Sequence, residues 1–400
     1  MNQLSLFDET KLKIPEAIEL TKNAIAAYAG NYQNFAIAFS GGKDSTALVT
    51  IVAHLIESGQ LAIKPEQVTI LYADTRQELP PLQIGAIALL EEMRSRGFKT
   101  KVVCAELDKR FLVYILGRGV PPPNNNTMRW CTAQIKVNPM TFALQDVTEG
   151  EQTLVLTGVR LGESAIRDQR ISTSCSKNGG ECGQGWFQNM TASGIDTLAP
   201  ILHWRVCNVW DWLFFEAPGL GFDTSLLAEA YGGDEANEIN ARTGCTGCPL
   251  TDKQTALETL IEMPQWAYLA PLWQLHGIYR ELRSFNNRLQ KDGSETRKDG
   301  SLVANPMRKG PLTLECRLQT LERILAIQNQ INSNARLNNR PTVDIINPEE
   351  EARIRELIAM KTFPQKWSGD EENGAVMLPE TLPSGDLQLL LFGDRYEPRF

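Results

Sequence analysis

Phe35-Ala36-Ile37-Ala38-Phe39-Ser40-Gly41-Gly42-Lys43-Asp44-Ser45-Thr46 reads as a buried strand, a tight loop and the start of a helix. The apolar run Phe35–Phe39 suits a strand covered on both faces. Gly41-Gly42 permit backbone angles that a side chain would forbid. Asp44, Ser45 and Thr46 then open an apolar helix that runs from Ala47 to Ile56. Successive backbone N–H groups at a glycine-rich turn feeding a helix N-terminus form an anion site, and the natural guest is a phosphate. The spacing is not that of the Gly-x-x-x-x-Gly-Lys-Ser/Thr phosphate loop. The plain alternative is a strand-to-helix turn with no ligand.

The rest of the chain is built around that turn. Its 400 residues suffice for a full α/β core plus a second unit, and 42% hydrophobic with 22% charged residues is an ordinary water-soluble composition. No apolar run approaches the ~18 residues of a membrane span, and Met1-Asn2-Gln3 is too polar to begin a secretion signal, so a cytoplasmic protein with no membrane partner is expected. In that compartment eight cysteines point to metal or redox roles rather than a disulfide framework. A net charge of −8 argues against a general nucleic-acid coat but leaves room for a local basic patch.

Residues 1–30 read as a leader and one helix, with Pro15 near the first helical position. Val68–Tyr72 is a second strand, delivering Asp74 at its C-terminal end, the edge at which open parallel sheets collect ligands. Asp74 is therefore a candidate contact for a nucleotide or its Mg²⁺; the alternative is a cap on the next helix. A helix from Pro81 to about Gly97, a strand near Lys101–Val103, a helix near Arg110–Leu112 and a strand Thr153–Gly158 continue the alternation. That rhythm predicts a doubly wound parallel sheet over residues 31–215. Beyond the last strand, Arg160, Arg167 and Arg170 bracket Glu163.

Ser40-Gly41-Gly42-Lys43-Asp44-Ser45 resembles the PP-loop of the ATP pyrophosphatases. Three further stretches follow in family order: Arg129-Trp130-Cys131 with Lys136 and Pro139; Gly158-x-Arg160-x-x-Glu163-Ser164-x-x-Arg167; and Pro200-Ile201 leading to Trp210-Asp211-Trp212. Together they are similar to the phosphoadenosine phosphosulfate reductase branch. The resemblance implies a HUP-like, adenine nucleotide alpha hydrolase-like fold and cleavage of ATP to AMP and pyrophosphate. It places Ser40, Gly41, Gly42, Lys43, Asp44, Ser45, Asp74, Gly158, Arg160, Glu163 and Arg170 around the nucleotide, with Arg167 among the catalytic cations. Guanidinium forks bind phosphate oxygens in pairs; a solvated charged face is the other reading of these arginines.

Gly244-Cys245-Thr246-Gly247-Cys248-Pro249 is the strongest metal signal in the chain, and Cys131 is the obvious third thiolate. With histidines only at 54, 203 and 276, an all-cysteine site is favoured. Four thiolates suit zinc or a [4Fe–4S] cluster equally. Some members of the reductase branch carry such a cluster on a Cys-Cys pair plus Cys-x-x-Cys. Here Thr132 follows Cys131, so the fourth ligand comes from elsewhere: Cys182, between glycine-rich flanks, or Cys175, which could instead carry sulfur as an exposed loop thiol. Cys104, Cys207 and Cys316 read as buried fillers.

After residue 216 the chain becomes mainly helical, with one domain expected over 216–345 and a C-terminal helix and tail over 346–400. Residues 280–309 carry eight basic and four acidic side chains, a composition for either a basic flap over a polyanion or a solvated loop. Leu314, Leu318, Leu321 and Leu325 form an apolar stripe, and Ile354, Leu357 and Ile358 a second one. Arg242-x-Gly244-Cys245-x-x-Cys248-Pro249, Gly310-Pro311-Leu312-Thr313 and Asn347-Pro348-Glu349-Glu350-Glu351 resemble the DNA phosphorothioation sulfurtransferases of the DndC/SspD type. That resemblance implies adenylation of a DNA backbone phosphate, a cysteine desulfurase as sulfur donor, and partner subunits including an ATPase. A reductase of adenylyl sulfate, a nucleotide-switched subunit without catalysis, and a tRNA-thiolating enzyme are the alternatives.

Overall fold

β1, Asn34–Phe39, is central because both of its faces are apolar. Phe35, Ala36, Ile37 and Phe39 are all at most 2% exposed. Each large side chain so buried is worth roughly 1.5–3 kcal/mol. The computed structural model describes residues 12–124, 128–148, 152–162, 169, 186–188, 195–231, 244–301, 303, 305, 308–374, 379–381 and 387–389. The chain forms two compact units: Met1–Asp74 with Leu79–Val103 and Pro139–Thr243, and Thr75–Glu78 with Cys104–Asn138 and Gly244–Phe400.

The first unit holds a six-stranded sheet. With β2 (Val68–Asp74), β3 (Lys99–Cys104), β4 (Thr153–Thr157), β5 (Trp186–Gln188) and β6 (Ile195–Ala199), the strand order is β3-β2-β1-β4-β6-β5. β2, β1, β4 and β6 pair in parallel, with Ile37 opposite Ile70 and Leu156. This is the α/β architecture expected, with one addition: β5 runs antiparallel on the edge, Phe187 opposite Leu198. Ala36, Leu71, Val103, Val155 and Ile195 make one face, packed against Ala143, Met140, Leu144 and Val147 of α4 (Asn138–Thr148). Phe35, Ile37 and Phe39 alternate to the other face and are equally buried, as a doubly covered sheet requires.

α1 (Ile14–Ala29) has Pro15 in its first turn. α2 (Lys43–Glu57) is buried almost all round, which its apolar sequence dictates. Two tryptophans fasten this layer: Trp204 Nε1 donates to Thr21 Oγ1 at 2.9 Å, and Trp212 Nε1 to Thr50 Oγ1 at 2.8 Å. α3 spans Pro80–Ser95.

The second unit is mainly helical, with a short antiparallel pair, Arg288–Gln290 with Lys309–Leu312. Near residues 110–112 the chain is helical as expected: after a 3-10 turn over Leu107–Lys109, residues 111–112 are α-helical and run on into a wider helical turn, Val113–Gly117. Thr313 caps the helix Leu314–Leu337, and Asn347 with Glu350 forms a reciprocal cap on Pro348–Ala359. The expected stripe on the long helix holds in part: Leu321 is fully buried and Leu314 and Leu325 are half-buried. Leu318 is 43% exposed, and the buried face runs through Cys316, Arg317, Thr320, Leu321, Ile324, Ile327 and Ile331. Isoleucines and Arg317 make up most of the buried face, and Arg317 packs against the Gly117–Gly119 turn. There Arg317 Nη1 donates to Gly117 O at 2.8 Å and Thr362 O at 2.9 Å. Ile354 and Leu357 face inward as expected, Ile358 only in part.

Among the described residues no helix is long and apolar enough to cross a membrane.

Candidate functional site

The strand order reverses direction at β1, whose neighbours β2 and β4 lead to opposite sides of the sheet. The crevice at the C-terminal end of such a pair is where α/β sheets bind ligands. The Ser40–Ser45 loop leaves β1 there, and Gly158 and Arg160 leave β4 beside it.

Gly41 takes φ +72°, and a Cβ on it would lie 3.1 Å from Ala86 Cβ, so both conformation and space call for glycine. Gly42 is the helix N-cap, in extended conformation and without a capping side chain. The loop is braced from within. Ser40 N–H donates to Ser45 Oγ at 3.2 Å, Ser45 Oγ donates to Gly42 O at 3.0 Å, and the two serine hydroxyls lie 3.1 Å apart. A hydroxyl has one proton. With that of Ser45 given to Gly42, Ser40 is the donor between the two.

Lys43 is 7% exposed, its Nζ 3.5 Å from Asp44 Oδ2 and 5.4 Å from the centre of the Tyr231 ring. Asp44 Oδ1 also accepts from Arg160 Nε at 2.6 Å, and Arg160 Nη1 donates to Trp204 O at 3.1 Å. Arg160 thus faces the loop's own carboxylate. Gly158 is the reason β4 can approach so closely: a Cβ there would sit 3.0 Å from Asp44 C, Asp44 O and Ser45 N. Asp74 ends β2, half-buried at the same sheet edge. Glu163, Arg167 and Arg170 lie outside the described residues.

One participant escaped the sequence reading. Tyr231 Oη accepts the Lys43 N–H at 3.4 Å, and its ring meets Trp210 edge-on at 5.0 Å. Its signal was an aromatic placed before Gly232-Gly233.

In the second unit, the Cys245–Cys248 knuckle turns on Gly247 at φ +67°, where a Cβ would fall 2.7 Å from Leu275 Cβ. Thr246 N–H donates to Gln77 O at 2.7 Å, Thr246 Oγ1 to Glu78 O at 3.1 Å, and Cys248 N–H to Cys245 O at 3.1 Å. His276 Nδ1 lies 3.0 Å from Cys248 O. Cys131 starts a helical turn behind Trp130, whose ring packs on Tyr114 at 4.8 Å. Burial, reinforced by Cys248, raises the Cys131 thiol. The surrounding protein, then the charges of Cys248, Glu78 and Cys131, raise that of Cys245, and the Lys136 ammonium lowers it.

The three thiols are therefore electrostatic neighbours, and as a donor set they suit a soft metal centre. Among the described residues, however, no three His, Cys, Asp or Glu side chains are arranged to hold an ion. Cys182 and Cys175 lie outside the described residues. Cys316 is buried as expected, whereas Cys104 and Cys207 are only half-buried, one at the end of an edge strand and the other in the first turn of a short helix.

Among its described residues the basic stretch is tied down by internal contacts. Arg283 donates to Pro249 O, Arg288 to Gly310 O and Lys309 O, Lys291 pairs with Glu371, and Arg308 with Glu295. Arg308 and Lys291 also cover Trp367, and Lys309 covers Phe285. Arg280, Arg297 and Lys298 are exposed.

Residues 34–217 match the family model of the phosphoadenosine phosphosulfate reductase domain. An uncharacterized protein of Methanocaldococcus jannaschii is 25% identical over 219 residues, a match spanning 54% of this chain and 42% of that protein. Among solved structures, phosphoadenylyl-sulfate reductase from Candida auris, in a phosphate complex, aligns at 14% identity over 56% of this chain and 96% of its own, with a TM-score of 0.33. The U34-tRNA thiolase NcsA of Methanococcus maripaludis, with its [4Fe–4S] cluster, aligns at 14% over 66% and 79%, with a TM-score of 0.34.

Proposed function

We propose that this protein is an ATP pyrophosphatase and sulfurtransferase that activates a DNA backbone phosphate for replacement of a non-bridging oxygen by sulfur. The observation that carries the reading is the loop itself. A positive-φ Gly41, an uncapped helix start at Gly42 and a buried Lys43 converge at the sheet's switch point, with Gly158 keyed against them. The match of residues 34–217 to the reductase domain supports nucleotide chemistry of this kind.

In this reading a non-bridging oxygen of the DNA phosphodiester attacks the α-phosphorus of ATP. The bond to the β-phosphate oxygen breaks and pyrophosphate leaves. The terminal sulfur of a persulfide charged by a cysteine desulfurase then attacks the activated backbone phosphorus, and AMP departs with the oxygen. A thiol reductant afterwards attacks the S–S bond, leaving sulfur on phosphorus and a disulfide as the oxidised product. The loop N–H groups and Lys43 receive the charge that develops on the pyrophosphate. Asp44 fixes Arg160, which is thereby a positioning cation, and Arg167 and Arg170 remain the proposed grip on phosphate. Asp74 would hold Mg²⁺, which when bound neutralises charge on the leaving group. Cys131, Cys245, Cys248 and Cys182 are the proposed thiolates for a [4Fe–4S] cluster or zinc. Among the described residues no three such side chains are arranged to hold an ion.

The test is pyrophosphate release from ATP by the full chain, with and without DNA, beside a Ser40→Ala/Asp44→Ala variant. Turnover that persists in the variant would sink the loop assignment. The family match also favours a second reading, reduction of phosphoadenylyl or adenylyl sulfate. Sulfite release from those substrates with a thiol donor, without ATP consumption, would select it.

A further inference from the structure

Tyr231 holds the position that a phosphate oxygen would be expected to take. Its hydroxyl accepts the Lys43 N–H, the first donor of α2, at 3.4 Å. It also faces Gly42, where a Cβ would lie 3.5 Å from Tyr231 Oη and 3.7 Å from Ser40 Oγ. The phenol and the Ser40 hydroxyl therefore flank the N-cap of a helix that has no capping side chain of its own. Helix-start N–H groups need an acceptor. In this chain one of them is met by a side chain brought from residue 231, beyond the end of the six-residue helix Ser225–Ala230. The ring is held by Trp210 on one side and lies near the Lys43 ammonium on another, at 5.0 and 5.4 Å. Tyr231 is 8% exposed, so its hydroxyl is a built part of the cradle.

We propose that the Tyr231 hydroxyl competes with the polyphosphate for the Lys43 N–H and so sets the anion affinity of the loop. Tyr231 is a positioning residue in this view, and its displacement accompanies pyrophosphate binding. The inference rests on the loop being a phosphate site. The aromatic ring, which carries the packing on Trp210, is not the competing group; the oxygen is.

The experiment is calorimetric titration of the full chain and of Tyr231→Phe with magnesium pyrophosphate and, separately, with adenosine. Phenylalanine keeps the ring and removes one acceptor, and a melting curve on each protein verifies the fold. Loss of a single neutral competing hydrogen bond should tighten pyrophosphate binding by about three- to tenfold. The affinity for adenosine, which has no phosphate, should not change. KM for ATP should fall in the variant by more than kcat changes. Pyrophosphate affinity that is unchanged or weaker, or an equal shift for both ligands, overturns the inference and leaves the phosphate-loop reading standing. Failure of both proteins to bind pyrophosphate overturns both together.

Discussion

Asp44 Oδ1 accepts a hydrogen bond from Arg160 Nε at 2.6 Å, joining the first turn of α2 to the segment that leaves β4. The pair is nearly enclosed, the side chains being 16% and 6% exposed. Removing one member of such a pair strands the other charge, at a cost of about 3 kcal/mol. Asp44→Asn should therefore lower the urea midpoint clearly, and Asp44→Asn/Arg160→Met should recover part of the loss. A double variant no more stable than the single one would show that the ion pair is not what joins these segments.

Gly158→Ala places a methyl group 3.0 Å from the backbone of Asp44 and Ser45. Backbone cannot rotate away as a flexible side chain does, so the loop itself must shift. Pyrophosphate affinity should fall by at least about tenfold, the scale on which misplaced binding groups act. Equal binding by the alanine variant in equilibrium dialysis would remove Gly158 from the site.

Glu371 supplies a pH prediction. Burial works to raise its carboxyl. The Lys291 ammonium at 2.8 Å and the Ser368 and Gly369 N–H groups outweigh it and hold the group at about 2. A depressed folded value means stability present above the ordinary value of 4.5 and lost as pH falls through about 2. The stability difference between the wild type and Glu371→Gln, followed by denaturant titration, should be largest near neutrality and shrink steadily below about pH 5. A difference independent of pH would contradict the assignment.

The internal contacts of the basic stretch narrow any DNA contact to Arg280, Arg297 and Lys298, since the other five cations serve internal partners. Replacing Arg297 and Lys298 by serine should weaken DNA binding uniformly across sequences. It should also reduce the slope of log affinity against log salt by about one unit or more. An unchanged slope would exclude this turn as a backbone contact.

For the thiols, anaerobically purified protein should contain iron or zinc, and Cys245→Ser and Cys248→Ser should each lose most of it. An absorbance that bleaches on reduction would distinguish iron–sulfur from zinc. Metal content unaffected by both substitutions would overturn the cysteine assignment.

Much of the first unit was legible in residues 35–46. Two-sided burial of Phe35–Phe39 required a central strand, Gly41 a positive φ, and the apolar run after Ser45 a buried helix. Those are local properties, set by side-chain volume and backbone freedom. The long helix of the second unit was found, with Leu321 inward as expected but Leu318 outward. Leucine spacing favoured Leu318, while the buried face went to Ile324, Ile327 and Arg317, because the surfaces opposite decide rotation. The antiparallel β5 gave no signal either, being three residues long and held by its partner's hydrogen bonds.

By itself, then, the sequence determined the strand-loop-helix turn, the alternating α/β order and the thiol knuckle, all of which depend on near neighbours in the chain. Tertiary structure alone decided that Asp44 is bound to Arg160, that Gly158 rests on the loop backbone and that Tyr231 takes the Lys43 N–H. Each of those contacts spans more than a hundred residues of chain. Such partners are chosen by how strands and helices pack, which no local pattern records.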